Sequence, residues 1–241
     1  MEPSLTRRRQ ASTFTAFTFQ QYAFAACIIL APVSLTLYVL AWPENPAPVV
    51  GTVAAPIVTS MMAGAAGNTL HFIGAIAASF FLPLGYLGMS LLGMRRAPWL
   101  ATLSAALSLI GWIPWSGLIG IDDLAYDIAV VGSTPQLAAL WVRFNSDPVM
   151  LTYLLIYIVG HLLSAILIGW MLGRLRLIPA WAAWAFALTS PLTIIYFLTH
   201  AIIFRYILRY AICALWIAGA IPAAWTMFTN KDQTLLAPQS A

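Results

Sequence analysis

Apolar residues run in long blocks along this chain, and the charged residues collect in the gaps between them. No Asp, Glu, Lys or Arg occurs in residues 97–121, 148–173 or 177–204. A helix needs roughly 20 predominantly apolar residues to cross the hydrocarbon core of a bilayer, and charges within it are costly enough to be rare. The pattern predicts an all-α bundle of six transmembrane helices, at about 19–42, 70–94, 98–120, 148–173, 179–200 and 205–228. They form one transmembrane domain over residues 19–228. An N-terminal segment, 1–18, precedes it and a tail, 229–241, follows it, while residues 43–69 and 121–147 form two outer loops.

Boundary chemistry supports several of these ends. Pro98 and Pro179 sit in first turns, where a missing N–H costs nothing. Asp147-Pro148 reads as an N-cap followed by proline at the first helical position, and Asn68 is placed to cap the second helix. The last hairpin is predicted on length alone. Residues 194–218 hold neither Gly nor Pro, yet one continuous helix would be far too long to span, so a turn is expected near 201–205.

The outer loops are not plain coil. Residues 51–67 are small and apolar, and are expected to lie in the interface or dip back into the bundle. In the second loop, Thr134-Pro135 starts a short amphipathic helix carrying Leu137, Leu140, Trp141 and Phe144 at helical spacing.

Composition agrees with the membrane reading. The chain is 62% hydrophobic and 7% charged, with mean hydropathy +0.89, whereas a soluble domain carries about 25% charged residues. Arg7–Arg9 precede a stretch too long for a cleavable signal peptide, so the first helix reads as a signal anchor. With the N-terminus cytoplasmic, Arg7, Arg8, Arg9, Arg95, Arg96, Arg174, Arg176 and Lys231 fall inside and Arg143, Arg205 and Arg209 outside. That asymmetry predicts N-in, C-in topology in the plasma membrane. The net charge of +4 is spent at helix ends, which argues against nucleic-acid binding. Cys27 and Cys213 lie in apolar spans and report nothing about redox compartment. Trp42, Trp99, Trp181, Trp184 and Trp225 read as interfacial anchors.

Polar positions at helical spacing mark the faces turned inward. They are His71, Ser79, Tyr86 and Ser90 in the second helix and Ser104, Ser108 and Trp115 in the third. In the fourth they are Tyr153, Tyr157, His161 and Ser164, and in the fifth Thr189, Thr193, Tyr196 and His200. Each stripe has a plain explanation, since hydroxyls often join helices at on the order of 1 kcal/mol each. Taken together they would line a pocket opening outward. His161 falls near the midplane, about 13 residues into its helix.

The acidic run Asp122-Asp123-Leu124-Ala125-Tyr126-Asp127 admits three readings. Arg205 and Arg209 pair with these carboxylates and close the outer mouth. Alternatively Asp123 and Asp127, with His71 or His200, bind a divalent metal. The third is an Asp-rich magnesium–diphosphate motif, for which no basic partner motif is present. His71 and His200 at matched depth also raise a haem b pair, with Gly74 and Gly160 offering space.

Interior prolines at 32, 83, 114, 191 and 222 predict kinks. Gly169-x-x-x-Gly173 would let two helices approach closely. No nucleotide loop, Gly-x-Ser-x-Gly elbow, Cys-x-x-Cys pair or metalloprotease signature occurs.

The run from His71 to Asp127, with Gly-Tyr-Leu-Gly and Met-Arg-Arg-Ala-Pro-Trp-Leu-Ala-Thr, and the run Arg143-Phe-Asn-Ser-Asp-Pro-Val-Met through Gly160-His161-Leu-Leu resemble small polytopic membrane proteins of bacterial genomes. The resemblance extends from about residue 65 onwards. It implies a multi-pass plasma-membrane protein and no particular activity.

The functional expectation is a lipid- or small-ligand-binding membrane protein. Its pocket is built from His71, Asp122, Asp123, Asp127, Tyr157, His161, Tyr196 and His200, with Arg205 and Arg209 as electrostatic partners. A membrane-embedded enzyme acting on a lipid or isoprenoid, a small-solute transporter and a haem b protein are the alternatives.

Overall fold

A computed structural model describes residues 3–44 and 55–229 of the chain, with side chains from residue 19 onward. The tail assigned to 229–241 lies, apart from Thr229, outside the described residues, as do residues 1–2 and the side chains of Arg7–Arg9. The fold is all-α: α1 (Pro3–Ala41), α2 (Ala55–Leu92), α3 (Pro98–Trp112), α4 (Trp115–Val131), α5 (Pro135–Asn145), α6 (Pro148–Arg174), α7 (Ala180–Leu198) and α8 (Ile202–Thr229). Among the described residues, six stretches are long and apolar enough to cross a membrane: Phe19–Ala41, Ala55–Leu92, Pro98–Val131, Pro148–Arg174, Ala180–Leu198 and Ile202–Thr229. The protein is a polytopic, membrane-spanning helical bundle.

Two of these spans are longer than their apolar blocks suggested. The second begins at Ala55 rather than near residue 70, so much of the expected loop 43–69 is helical. Gly64, at φ 63°, breaks the helix without ending it. Asn68 sits against that break instead of capping a helix start. Its Nδ2 donates to the carbonyls of Ser60 (2.9 Å) and Gly64 (2.8 Å), and its Oδ1 accepts from Ser60 Oγ (3.0 Å) and Trp42 Nε1 (2.8 Å). One amide side chain thus satisfies backbone groups that the kink exposes.

The third span is α3 and α4 end to end, interrupted at Ile113-Pro114, where proline supplies no N–H. It carries the acidic run as helix rather than loop. Most of the loop expected at 121–147 is therefore helical, because α5 follows after a short turn. Thr134 Oγ1 caps α5 by accepting from Leu137 N (3.3 Å). Asp147 caps α6 through Val149 N (2.8 Å).

The α7–α8 turn occupies residues 199–201 with neither Gly nor Pro. Between α6 and α7, the N–H groups of Arg176 and Leu177 return to the carbonyls of Gly173 (3.1 Å) and Leu172 (2.9 Å). This is a Schellman ending with Arg176, at φ 52°, in the position that glycine usually fills.

Neighbouring spans pack as a closed ring. The order is α1 against α2, α2 against α3 and α4, α3 against α6, α6 against α7, α7 against α8, and α8 back against α1. Glycines set two of the crossings. A Cβ on Gly111 or Gly160 would fall on the backbone of the other helix, so α3 and α6 touch main chain to main chain. Gly169 and Gly173 face Ala183 and Ala187 of α7, which places the small-residue pair inside the ring rather than on its outside.

One end of the ring is filled by Tyr86, Met89, Ile168, Met171, Leu172, Phe186 and Ala223, all essentially without exposure. The outer face carries exposed Ile76, Phe80, Leu163 and Ile221, as expected where lipid is the solvent. Trp99, Trp181, Trp184 and Trp225 are well exposed. Trp42 is not. It is buried at 8% exposure and is a structural element of the interior instead of an interfacial anchor.

Candidate functional site

At the other end of the ring the helices stand apart around a cavity of about 830 Å³. A small apolar cluster covers part of this end, where Ile57 of α2, Ala125 and Ile128 of α4, and Ala138 and Trp141 of α5 meet. Trp141 Nε1 donates to Ile121 O (2.9 Å) and holds α5 against α4.

One wall is built on Glu44, just beyond the end of α1. Its carboxylate is almost fully buried, at 4% exposure. Three groups from α7 and α8 reach it: Tyr196 Oη (2.7 Å), Arg205 Nη2 (2.9 Å) and Arg209 Nη1 (3.3 Å). Arg209 is itself buried, and its Nη2 donates to the carbonyl of Trp42. Arg205 lies over the Tyr196 ring, 5.1 Å from its centroid, with its side chain 32% exposed. Burial of a carboxylate is tolerable when charged donors surround it.

The facing wall is built on Asp122 of α4. Its Oδ2 accepts from Tyr38 Oη (2.8 Å) and lies 3.3 Å from His71 Nε2. His71 Nδ1 lies 2.9 Å from the Tyr38 carbonyl. A carbonyl only accepts, so Nδ1 is the donor to it, which leaves Nε2 facing the carboxylate. The Trp42 ring stacks on the imidazole at 3.8 Å and 5°. Trp42 therefore joins both walls, by its ring to one and by its carbonyl to the other.

The deep wall is aromatic. Tyr157 stacks on His161 at 4.1 Å, Trp115 lies 5.4 Å from Tyr157, and Trp216 of α8 completes the lining. His161 Nδ1 meets the Tyr157 carbonyl of its own helix, 2.5 Å away.

The sequence-predicted residues divide in two. His71, Asp122, Tyr157, His161, Tyr196, His200, Arg205 and Arg209 all line the cavity. Asp123 and Asp127 do not; both are exposed and outside the lining. On a helix, neighbouring positions point about 100° apart, so the acidic run splits, with Asp122 turned in and the other two out. That removes the Asp-rich diphosphate motif as a unit.

The expected pairing of Arg205 and Arg209 with the acidic run is also corrected. Both arginines take Glu44, which α1 delivers to the α8 side of the ring. The metal candidates Asp123, Asp127, His71 and His200 are not gathered. Among the described residues, no group of three or more His, Cys, Asp or Glu is placed to hold a metal ion. Both ring nitrogens of His71 are engaged, so it offers no free nitrogen to a haem iron.

Most of the hydroxyls in the four stripes bond carbonyls of their own helices, as Ser79, Ser90, Ser104, Ser108 and Ser164 do. Ser190, outside the stripes, bridges to Leu162 O of α6 (2.9 Å).

Sequence reasoning missed Tyr38, Trp42 and Trp216, and it left Glu44 in a loop. A signal for Glu44 was present: it is the only Asp or Glu between residues 3 and 121. No family model matches the chain, and no curated protein and no solved structure is significantly similar to it.

Proposed function

We propose that the cavity binds a lipid or another small amphiphilic molecule, and that this binding is the protein's function. The observation that carries the reading is the cavity itself. Its size falls within the range of about 300–1,000 Å³ typical of ligand sites, and a mainly apolar and aromatic lining holds a few convergent polar groups. The aromatic depth suits an apolar body, and the Glu44 and Asp122 walls suit a polar head.

The cavity opens outward under this reading. Arg96 Nη1 donates to Leu175 O (3.1 Å), which brings the loops bearing Arg95, Arg96, Arg174 and Arg176 together at the end opposite Glu44. Basic residues favour the cytoplasmic side, so the cavity faces away from the cytoplasm of a plasma-membrane protein with both termini inside. Reporter fusions at the two termini and after Ser133 test this orientation.

Native mass spectrometry of gently purified protein, with and without a total-lipid extract, tests the binding. Wild type is expected to retain a molecule of defined mass. Thr193→Trp, which places an indole in the cavity, is expected to lose it. Equal adducts in both proteins, or none in either after lipid is supplied, would defeat the proposal.

The His71–Asp122 pair on the wall favours a second reading, acid–base chemistry on the bound lipid. Product masses formed from the extract by wild type but not by His71→Gln would select it.

A further inference from the structure

We infer that the cavity selects a molecule with a singly charged oxyanion head, a carboxylate or a phosphate monoanion on an apolar chain, and that Arg205 is its contact. The inference rests on the cavity being a ligand site, as proposed above. Two independent observations lead to it.

The first is charge. The Glu44 wall holds one carboxylate and two guanidiniums, which leaves one positive charge in excess. Asp122 stands on the facing wall, with His71 beside it. Tyr38 and His71 both meet Oδ2 of that carboxylate, whose side chain is 18% exposed. A single negative charge on the ligand would balance the Glu44 wall.

The second is hydrogen bonding. Arg205 and Arg209 bring ten N–H donors to this wall, and the acceptors that meet them are the two Glu44 oxygens, the Trp42 carbonyl and Tyr196 Oη. Among the described residues, Nε of both arginines is buried without a partner, and so is Trp112 Nε1 behind His161. Among the described residues, the unpartnered buried side-chain atoms on the cavity residues are the two arginine Nε atoms, Trp216 Nε1 and the Tyr86 hydroxyl, and each can donate. The lining is short of acceptors, which an oxyanion supplies in number. Those Nε atoms are covered by protein, so the reachable donors belong to Arg205. Its contacts run through Nη2, and among the described residues Nη1 meets no acceptor. The guanidinium lies over the Tyr196 ring, 5.1 Å from its centroid.

The lining also carries the reporter. Trp42, Trp115, Trp141 and Trp216 all face the cavity, so a brominated chain bound there quenches tryptophan emission. The experiment titrates wild-type protein in nanodiscs with 9,10-dibromostearate, with its methyl ester, and with each in the presence of unlabelled stearate or inorganic phosphate. Saturable quenching by the acid at least about tenfold tighter than by the ester is expected, since one charge-assisted contact separates them. Arg205→Gln should bring the acid down to the ester's affinity while leaving the ester unchanged.

Equal affinity of acid and ester in wild type would overturn the inference and leave the cavity reading standing. Absence of saturable quenching by either would overturn both. Displacement of the acid by millimolar phosphate as effectively as by stearate would show that a free anion is the ligand, and the amphiphile would be wrong. Should Arg205→Gln fail to fold, the wild-type comparison of acid with ester still decides.

Discussion

Replacing Glu44 by glutamine removes one charge and leaves two. Arg209 is the costly survivor, because its side chain is 7% exposed and cannot recruit water in place of the lost carboxylate. Breaking a buried ion pair from one side costs about 3–5 kcal/mol. Arg205, about a third exposed, is screened and adds at most about 1 kcal/mol. For a chain of this size each kcal/mol moves the unfolding midpoint by about 2–4 °C, so Glu44→Gln should lower Tm by about 10 °C. Helical circular dichroism of purified protein during heating in detergent measures it. The double variant Glu44→Gln/Arg209→Gln should be less destabilised than Glu44→Gln alone, since it no longer strands a buried charge. A midpoint within about 2 °C of wild type for Glu44→Gln, or a double variant showing the plain sum of both losses, would refute the argument.

Three further outcomes follow from other sites. Asp123→Asn, on an exposed carboxylate away from the cavity, should leave Tm within about 1 °C of wild type; a loss resembling that of Arg205→Gln would restore the pairing that Glu44 displaces. Asn68→Ala strands the Trp42 N–H and the Ser60 and Gly64 carbonyls, and should cost about 2–4 kcal/mol, read as a lower Tm together with altered Trp42 fluorescence. Arg176→Gly relieves a left-handed residue within a Schellman turn and should stabilise by about 0.5–1 kcal/mol, seen as a rise of a few degrees.

The six spans were legible because bilayer thickness imposes a minimum apolar length, and that length shows in the spacing of charges. Span ends were less legible where the chain stays helical after its apolar block ends. Gly64 bends α2 without stopping it, and Asn68 repairs the bend; from the sequence, the same residues read as a loop and a cap. The acidic run fell in the loop 121–147 because the apolar block before it ends at residue 121. Asp123 and Asp127 do face outward, but Asp122 is served by Tyr38 and His71 from other helices. Helical spacing brought His71, Tyr157, His161 and Tyr196 to the correct faces. It could not show which helices adjoin. Without the α1–α8 contact, nothing preferred Glu44 over the aspartates as the partner of Arg205 and Arg209.

That α1–α8 contact has a bearing on biosynthesis. The first and the last of the described spans are neighbours, and Glu44 and Arg209 lie 165 residues apart in the chain. At about 5–20 residues per second, Glu44 leaves the ribosome some ten to thirty seconds before its buried partner exists. Through that interval the Glu44 carboxylate must stay at the water interface, because an unpaired charge is too costly to sink. Docking of α8 is the event that draws it inward and seals the ring. A nascent chain stalled before residue 202 should therefore hold Glu44 open to a water-soluble reagent, whereas the completed chain should shield it.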